Sequence, residues 1–294
     1  MARTDERDSS FVKIVFVCDF YKKDLNNKGG AENNDSVLIS KLEEKGYKVE
    51  KHYASSITED FLQENKDNFF IIGNFISLSE KVKNLFHDKD YVIYEHDHKY
   101  LKTRDPSKFV NFLAPEDQLI NRDFYKNANC VICLSNSQAD SVRNNLKINN
   151  VESIGCSLWS DDKLNYISFI SNAKKVKKYC VLNSDNPTKG KRQAIGYCVK
   201  NNISYDLISS NNEKEFLNIL SSYQTLIFIP TVLESLCRLV VEAKMLNCNL
   251  FTKSNLLGAS SEDWWDLKGQ ELIDAIKEKQ KTSIDIFLKY ICKK

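Results

Sequence analysis

The sequence predicts an α/β protein made of two doubly wound, parallel-sheet domains that face a central cleft. Short apolar, β-rich runs alternate with helix-forming segments at the spacing of βα units. The alternation is interrupted at the basic run Lys174-Lys-Val-Lys-Lys178 and then resumes. The chain's 294 residues also exceed the roughly 150 residues of a typical single domain.

Val12-Lys-Ile-Val-Phe-Val-Cys18 reads as a buried first strand. A Gly-Gly loop and a helix over 34–45 follow, ending at Gly46, the residue type expected just past a helix C-terminus. Tyr47–His52 opens the second strand, and Asn68–Ile72, Tyr91–Tyr94 and Cys130–Leu134 continue the series. Helices are expected near Ser79–Leu85, Glu116–Asn127 and Ser137–Leu146. Past the basic run come strand Tyr179–Leu182, helix Gln193–Asn201, strand Tyr205–Ile208 and helix Glu213–Leu220. Strand Leu226–Ile229, helix Arg238–Leu246 and strand Asn249–Thr252 complete the second set, and Lys268–Cys292 is strongly helical. The implied organisation is a flexible segment 1–10, a domain 11–160, a hinge near 155–178, a domain 175–265 and a C-terminal helix 266–294 returning to the first domain. Ligands of such sheets bind beyond the carboxyl ends of the strands, here in the cleft.

Composition narrows the class. With 42 basic and 40 acidic side chains the net charge is +2, so no global field marks a nucleic-acid binder, although a local basic groove is compatible with it. No run of 18 apolar residues occurs and the first ten residues are polar, which predicts a cytoplasmic protein without integral membrane association. The nine cysteines are scattered through apolar runs, the usage of small buried hydrophobes rather than of a disulfide framework. Cys130-Val-Ile-Cys133 has metal-site spacing, but residues three apart on a strand face opposite sides.

The segment richest in chemistry is Pro230-Thr-Val-Leu-Glu234-Ser-Leu-Cys-Arg238-Leu-Val-Val-Glu242-Ala, directly after an apolar strand. Ser235 reads as a helix N-cap, so the amides of Leu236, Cys237 and Arg238 would form a positive, phosphate-sized cradle. Glu234 stands beside that cradle and Glu242 two turns deeper. Two carboxylates flanking an anion site suit a ligand carrying both a diphosphate and sugar hydroxyls; the plainer alternative is a buried strand–helix unit with solvated glutamates.

Several landmarks then fall in one order. They are Lys28-Gly29-Gly30-Ala31-Glu32 before a helix, Tyr91-Val-Ile-Tyr-Glu-His96-Asp97, and Ala128-Asn-Cys-Val-Ile-Cys-Leu-Ser135-Asn-Ser137. Pro187-Thr-Lys189-Gly190 and the Glu234/Glu242 pair complete the set. Over roughly residues 12–260 this order resembles a GT-B glycosyltransferase of the retaining, family-4 type, with two Rossmann-like domains. The resemblance implies a nucleotide-sugar donor, with no cofactor and no metal. It implies that Lys189 offsets the charge of the leaving diphosphate and that Gly29 and Gly30 let the backbone approach it. Glu242 would accept from the ribose, Glu234 from the sugar, His96 would touch the transferred sugar or acceptor, and Asp97 would orient its neighbours. Ser135 falls on the donor side. Two departures stand out. The arginine expected before Lys189 is Ser184 or Asp185, leaving Arg192 or Arg238 to substitute, and the usual Phe-Gly after the first glutamate is Leu236-Cys237.

Other readings compete with this one. Asp88-Lys-Asp90 spells the carboxylate pair of a metal-dependent GT-A enzyme, but it precedes a strand instead of following one. A non-catalytic nucleotide-sugar-binding module is a further alternative. For the acceptor, a saccharide or lipid-linked saccharide competes with a hydroxymethylated pyrimidine, such as hydroxymethylcytosine, in duplex DNA. Membrane-docked family members carry a basic amphipathic helix, of which Ser79–Phe86 is a faint version. The Asn-, Lys-, Ile- and Ser-heavy composition and compact length resemble bacteriophage proteins acting in a host cytoplasm. In Glu95-His-Asp-His-Lys99-Tyr-Leu-Lys102-Thr-Arg104, bases and an aromatic interleave. On the DNA reading Lys99, Lys102 and Arg104 track phosphates, while Tyr100 stacks on or replaces a flipped base.

Overall fold

The computed structural model describes residues 13–22, 24 and 29–292; the expected flexible segment 1–10 and Lys28 of the Gly-Gly loop lie outside them. The first series runs β1 (Ile14–Cys18), α1 (Gly30–Glu44), β2 (Val49–Tyr53), α2 (Glu59–Glu64), β3 (Phe69–Ile72), α3 (Glu80–Asn84) and β4 (Asp90–Glu95). It continues through α4 (Arg122–Asn127), β5 (Cys130–Cys133), α5 (Asn136–Leu146), β6 (Val151–Ser153) and α6 (Asp161–Ile170). The second series runs β7 (Lys177–Leu182), α7 (Lys191–Lys200), β8 (Asp206–Ile208), α8 (Glu213–Ser221) and β9 (Tyr223–Ile227). It ends with α9 (Arg238–Met245), β10 (Asn249–Phe251) and α10 (Gly269–Ile291).

All strand pairings are parallel, in a six-stranded sheet ordered β2-β1-β3-β4-β5-β6 and a four-stranded sheet ordered β10-β9-β7-β8. Each sheet reverses its winding beside its first strand, between β1 and β3 and between β7 and β9. Crevices open at such switch points, beyond the strand ends. Strands β1, β3 and β5 of the large sheet are buried on both faces, as continuous apolar runs require, whereas its edge strands β2 and β6 are partly exposed. Ile14, Phe16, Ile71, Tyr94 and Ile132 join one cluster, whereas Val15, Val17, Phe70, Ile93 and Val131 join the other. Cys130 and Cys133 divide the same way, so they cannot hold one ion together.

Helix starts follow local chemistry. Thr58, Ser79, Ser135, Ser160 and Asn212 each accept an amide hydrogen bond as N-cap residues. Several expectations are corrected. Helix α1 begins at Gly30 rather than near 34, so the Gly-Gly pair is the helix start itself. The expected helix 116–127 is interrupted by Asn121 at φ 56°, and only Arg122–Asn127 is α-helical. The expected hinge 155–178 contains α6, which packs on α8, α9 and α10. Strand β6 and helix α2 were not foreseen.

Helix α10 runs back across the molecule. Tyr94 meets Phe287 edge-on, Lys289 pairs with Glu152 of β6 at 2.5 Å, and Cys292 lies 3.1 Å from the Tyr47 hydroxyl. The cluster that holds one face of the large sheet also holds Cys180, Leu226, Val241, Phe287 and Ile291, so a single core spans both sheets. No helix among the described residues is long and apolar enough to cross a membrane.

Candidate functional site

A cavity of about 870 Å³ is lined by loops leaving the carboxyl ends of both sheets. Its small-sheet wall comes from the turn after β7 and the loop after β9. Gly190 ends the first turn at φ 67°, and a Cβ there would sit 1.6 Å from the Ile229 carbonyl oxygen, so only glycine fits. That close approach delivers Lys189, whose ammonium donates to both oxygens of Glu234 at 2.8 and 2.9 Å. Partial burial pulls the Lys189 ammonium down, but the attraction of Glu234 outweighs it and raises the group above its ordinary range.

Ser235 is not the N-cap. Helix α9 starts at Arg238, capped by Cys237 at φ 75°. The Ser235 hydroxyl instead donates to the His96 carbonyl at 2.5 Å and accepts from Gln138 at 3.0 Å, fastening this loop to the large sheet. Leu233 N donates to Asp105 for the same result. Leu236, Cys237, Arg238 and Leu239 nevertheless line the cavity, where the first amides of α9 have no partner within the helix. Ser135 is fully buried, absent from the cavity lining, and caps α5, so it is a structural hydroxyl rather than a donor contact.

Glu242 points from α9 into a charged cluster. Its Oε1 accepts from Trp159 Nε1 at 2.8 Å and Lys163 Nζ at 2.7 Å, with Arg238 Nε at 3.7 Å. Burial favours the neutral acid, yet Lys163 and Arg238 prevail and hold the carboxyl below its ordinary range. Arg238 stacks over the Trp159 ring at 4.5 Å and donates to Asn34 and the Leu158 carbonyl. Of the two arginines considered, Arg238 is in the cavity; Arg192 is exposed and outside it. Gly30 lines the cavity 3.4 Å from Arg238 Cδ, measured from where its Cβ would be, whereas Gly29 serves as the α1 N-cap outside the lining.

On the large-sheet wall, His96 Nε2 lies 2.8 Å from Asp35 Oδ1. His96 Nδ1, His98 Nε2 and Ser157 Oγ are buried without a hydrogen-bond partner among the described residues, and all three residues line the cavity. Burial lowers the His98 imidazole to about 4, keeping it neutral. Asp97 also lines the cavity and pairs with Lys99 at 2.8 Å and with Arg104.

Two expected acceptor-binding residues are overturned. Lys99 is 2% exposed and donates to Glu95, Asp97 and Asn74. Tyr100 is fully buried, with its hydroxyl between His98 and Ser141. Neither can reach a phosphate or a base, because the turn after β4 folds inward to neutralise the buried carboxylate of Glu95. Lys102 and Arg104 are exposed, as is Lys108, and the last two line the cavity. Asp88 pairs with Lys89 at the amino end of β4, remote from the cavity at the carboxyl ends. Among the described residues no group of three or more His, Cys, Asp or Glu side chains could hold a metal ion.

Sequence reasoning missed Asp35, Asp105, Trp159 and Lys163. For Asp35 a signal existed: the buried stripe Leu38, Ile39 and Leu42 of α1 continues backward onto Asp35, Asn34 and Glu32, so these polar residues face inward. For Lys163 it was the Ser160 cap followed by Asp161 and Asp162, which announces a helix.

The chain matches no family model and no curated protein. Among solved structures it is similar to the catalytic domain of starch synthase IV from Arabidopsis thaliana bound to ADP and acarbose. That match has a TM-score of 0.53 and 9% identity over 97% of this chain and 96% of that one. It is also similar to Anabaena Alr3699/HepE in complex with UDP and glucose, at a TM-score of 0.47 and 14% identity over 93% and 92% of the two chains. A third is an alpha-glucosyltransferase in complex with UDP and a 13-mer DNA containing a central A:G mismatch. There the TM-score is 0.49 and the identity 12%, over 95% of this chain and 92% of that one. Such identities speak to the fold alone, and the two scores below 0.5 carry no argument. The chain has an α/β fold with two parallel sheets, similar to that of the starch synthase IV catalytic domain.

Proposed function

We propose that the chain is a metal-independent, retaining glycosyltransferase that moves a hexosyl or pentosyl group from a nucleotide sugar to a hydroxyl acceptor. The observation that carries this reading is the pairing of Lys189 with Glu234 between the loops after β7 and β9, beside the Arg238–Glu242 pair within α9. A cation beside a carboxylate that can bind sugar hydroxyls, next to unpaired helix amides, supplies what a departing diphosphate and an electron-poor sugar need. Glu242 takes the ribose, Glu234 and His96 the sugar, and Lys189 with Arg238 the diphosphate. Residues 11–160 form the acceptor-side domain and 175–265 the donor-side domain, with α6 joining them and 266–294 closing on the first. No cofactor is required, and the reaction belongs to the cytoplasm, a host's if the chain is of phage origin.

For the acceptor, the DNA reading rests on exposed Lys102, Arg104 and Lys108 at the rim. A saccharide acceptor is the second reading, favoured by the hydroxyl-binding lining of Asn74, Asp97, Thr103 and Asp105. The test is mass spectrometry of hydroxymethylcytosine DNA and of an oligosaccharide panel, each incubated with several nucleotide sugars in excess EDTA. Transfer that survives EDTA is expected, and the product's anomeric configuration reads out retention. Activity that needs added magnesium or manganese sinks the metal-free mechanism; the absence of both hydrolysis and transfer with every donor tested leaves only a binding module.

A further inference from the structure

Lys163 belongs to no motif in the sequence and sits on α6, outside both sheets, yet its ammonium reaches the cavity. It lies 2.7 Å from Glu242 and 2.6 Å from Glu213 of α8, with a side chain only 10% exposed. It also lines a second cavity of about 360 Å³ that shares Asn33, Glu213 and Arg238 with the first. The Lys163–Glu213 pair therefore stands where the two cavities adjoin.

We propose that Lys163 is a positioning residue for nucleotide recognition: it holds the Glu242 carboxylate in place for the ribose hydroxyls, while Glu213 competes for the same ammonium. This rests on the donor site described above. Glu242 is buried, and an isolated carboxylate in that position would favour its neutral form. The charges bearing on it are Lys163 of α6 and Arg238 of its own helix, with Glu213 of α8 acting on both. Helix α10, packed on the same helix, adds the neutral Gln280 through Trp159 N. Arg238 stands farther off and is committed to Asn34 and Leu158. Lys163 is thus the nearest cation, and a neutral Glu242 would lose the charge-assisted acceptor that ribose hydroxyls prefer.

The test titrates UDP, ADP and GDP into the full chain by calorimetry, for wild type, K163M, K163R and E213Q. Each variant is expressed relative to wild type at the same pH, which cancels the titration of the diphosphate. K163M is expected to bind about threefold more weakly near pH 8 and about tenfold more weakly near pH 5.5, as Glu242 takes up a proton. K163R restores binding to within about threefold throughout, and E213Q binds at least as tightly as wild type because the ammonium then serves Glu242 alone. An unchanged K163M, or a deficit that does not vary with pH, overturns the proposal while leaving the donor site standing. If K163M does not fold, E213Q and K163R decide: weaker binding by E213Q, or no binding by K163R, overturns it. A wild type that binds none of the three diphosphates brings down the donor reading and this proposal with it.

Discussion

The two sheets use the same residue types to opposite ends. On the small-sheet side, Lys189 and Glu234 meet at the cavity surface, with side chains 34% and 10% exposed. On the large-sheet side, Lys99 and Glu95 meet at 2% and 0%, and Glu95 also accepts from Tyr125. A pair at a cavity surface can exchange partners when a charged ligand arrives. A pair sealed in the core cannot, because separating it strands a charge away from water. The spacing of lysines along a chain therefore says less about ligand binding than the depth to which each is folded.

That contrast can be broken at three points, taken in order of expected effect. Lys99→Met should destabilise the chain by about 3–5 kcal/mol, the usual consequence of orphaning a buried carboxylate. Urea denaturation measures it, and a loss under about 1 kcal/mol would show the pair to be dispensable. Next, His98 is buried neutral, with its folded pKa of about 4 below the unfolded value of 6.5. Between those values the unfolded chain binds the extra proton, so this stability is complete above about pH 6.5 and falls as pH drops towards 4, by up to about 3 kcal/mol. His98→Asn, which suits the left-handed φ of 61° at this position, should flatten that segment of the stability–pH curve. An unchanged slope would assign the acid sensitivity elsewhere. Smallest in stability is the joint neutralisation of Lys102, Arg104 and Lys108, expected within about 0.5 kcal/mol of wild type. If the acceptor is duplex DNA, the same variant should flatten the log–log salt dependence of DNA binding by about 0.9 for each phosphate it no longer neutralises. A wild type with no salt-dependent DNA binding favours the saccharide.

These outcomes bear on what could be read without a structure. The order of strands and helices was legible because the inner strands of the large sheet are buried on both faces and write apolar runs such as Phe69–Ile72. Glu234, Glu242, Lys189 and His96, which line one cavity, were grouped in the sequence chiefly by the order of the family-like landmarks on which they fall. What was hidden depends on depth and on partners distant in sequence. Tyr100 is locked by Ser141, and Ser235 is claimed by the His96 carbonyl before it can cap a helix. Strand β6 has only three residues with one buried, too short to show a period. Asp35 and Lys163 matter through His96 and Glu242, partners that no local pattern names.

Helix α10 carries a consequence for how the chain is made. The face of the large sheet bearing Phe16, Tyr94 and Ile132 shares its cluster with Ile284, Phe287 and Ile291. Synthesis runs from the N-terminus, so the strands exist well before the segment that shields them. Until α10 has been synthesised, that apolar face has to wait uncovered or be held by a chaperone. A message truncated shortly before α10 would yield a polypeptide with every strand and both cavity walls but an open, sticky flank, a product suited to proteolysis rather than to turnover of substrate.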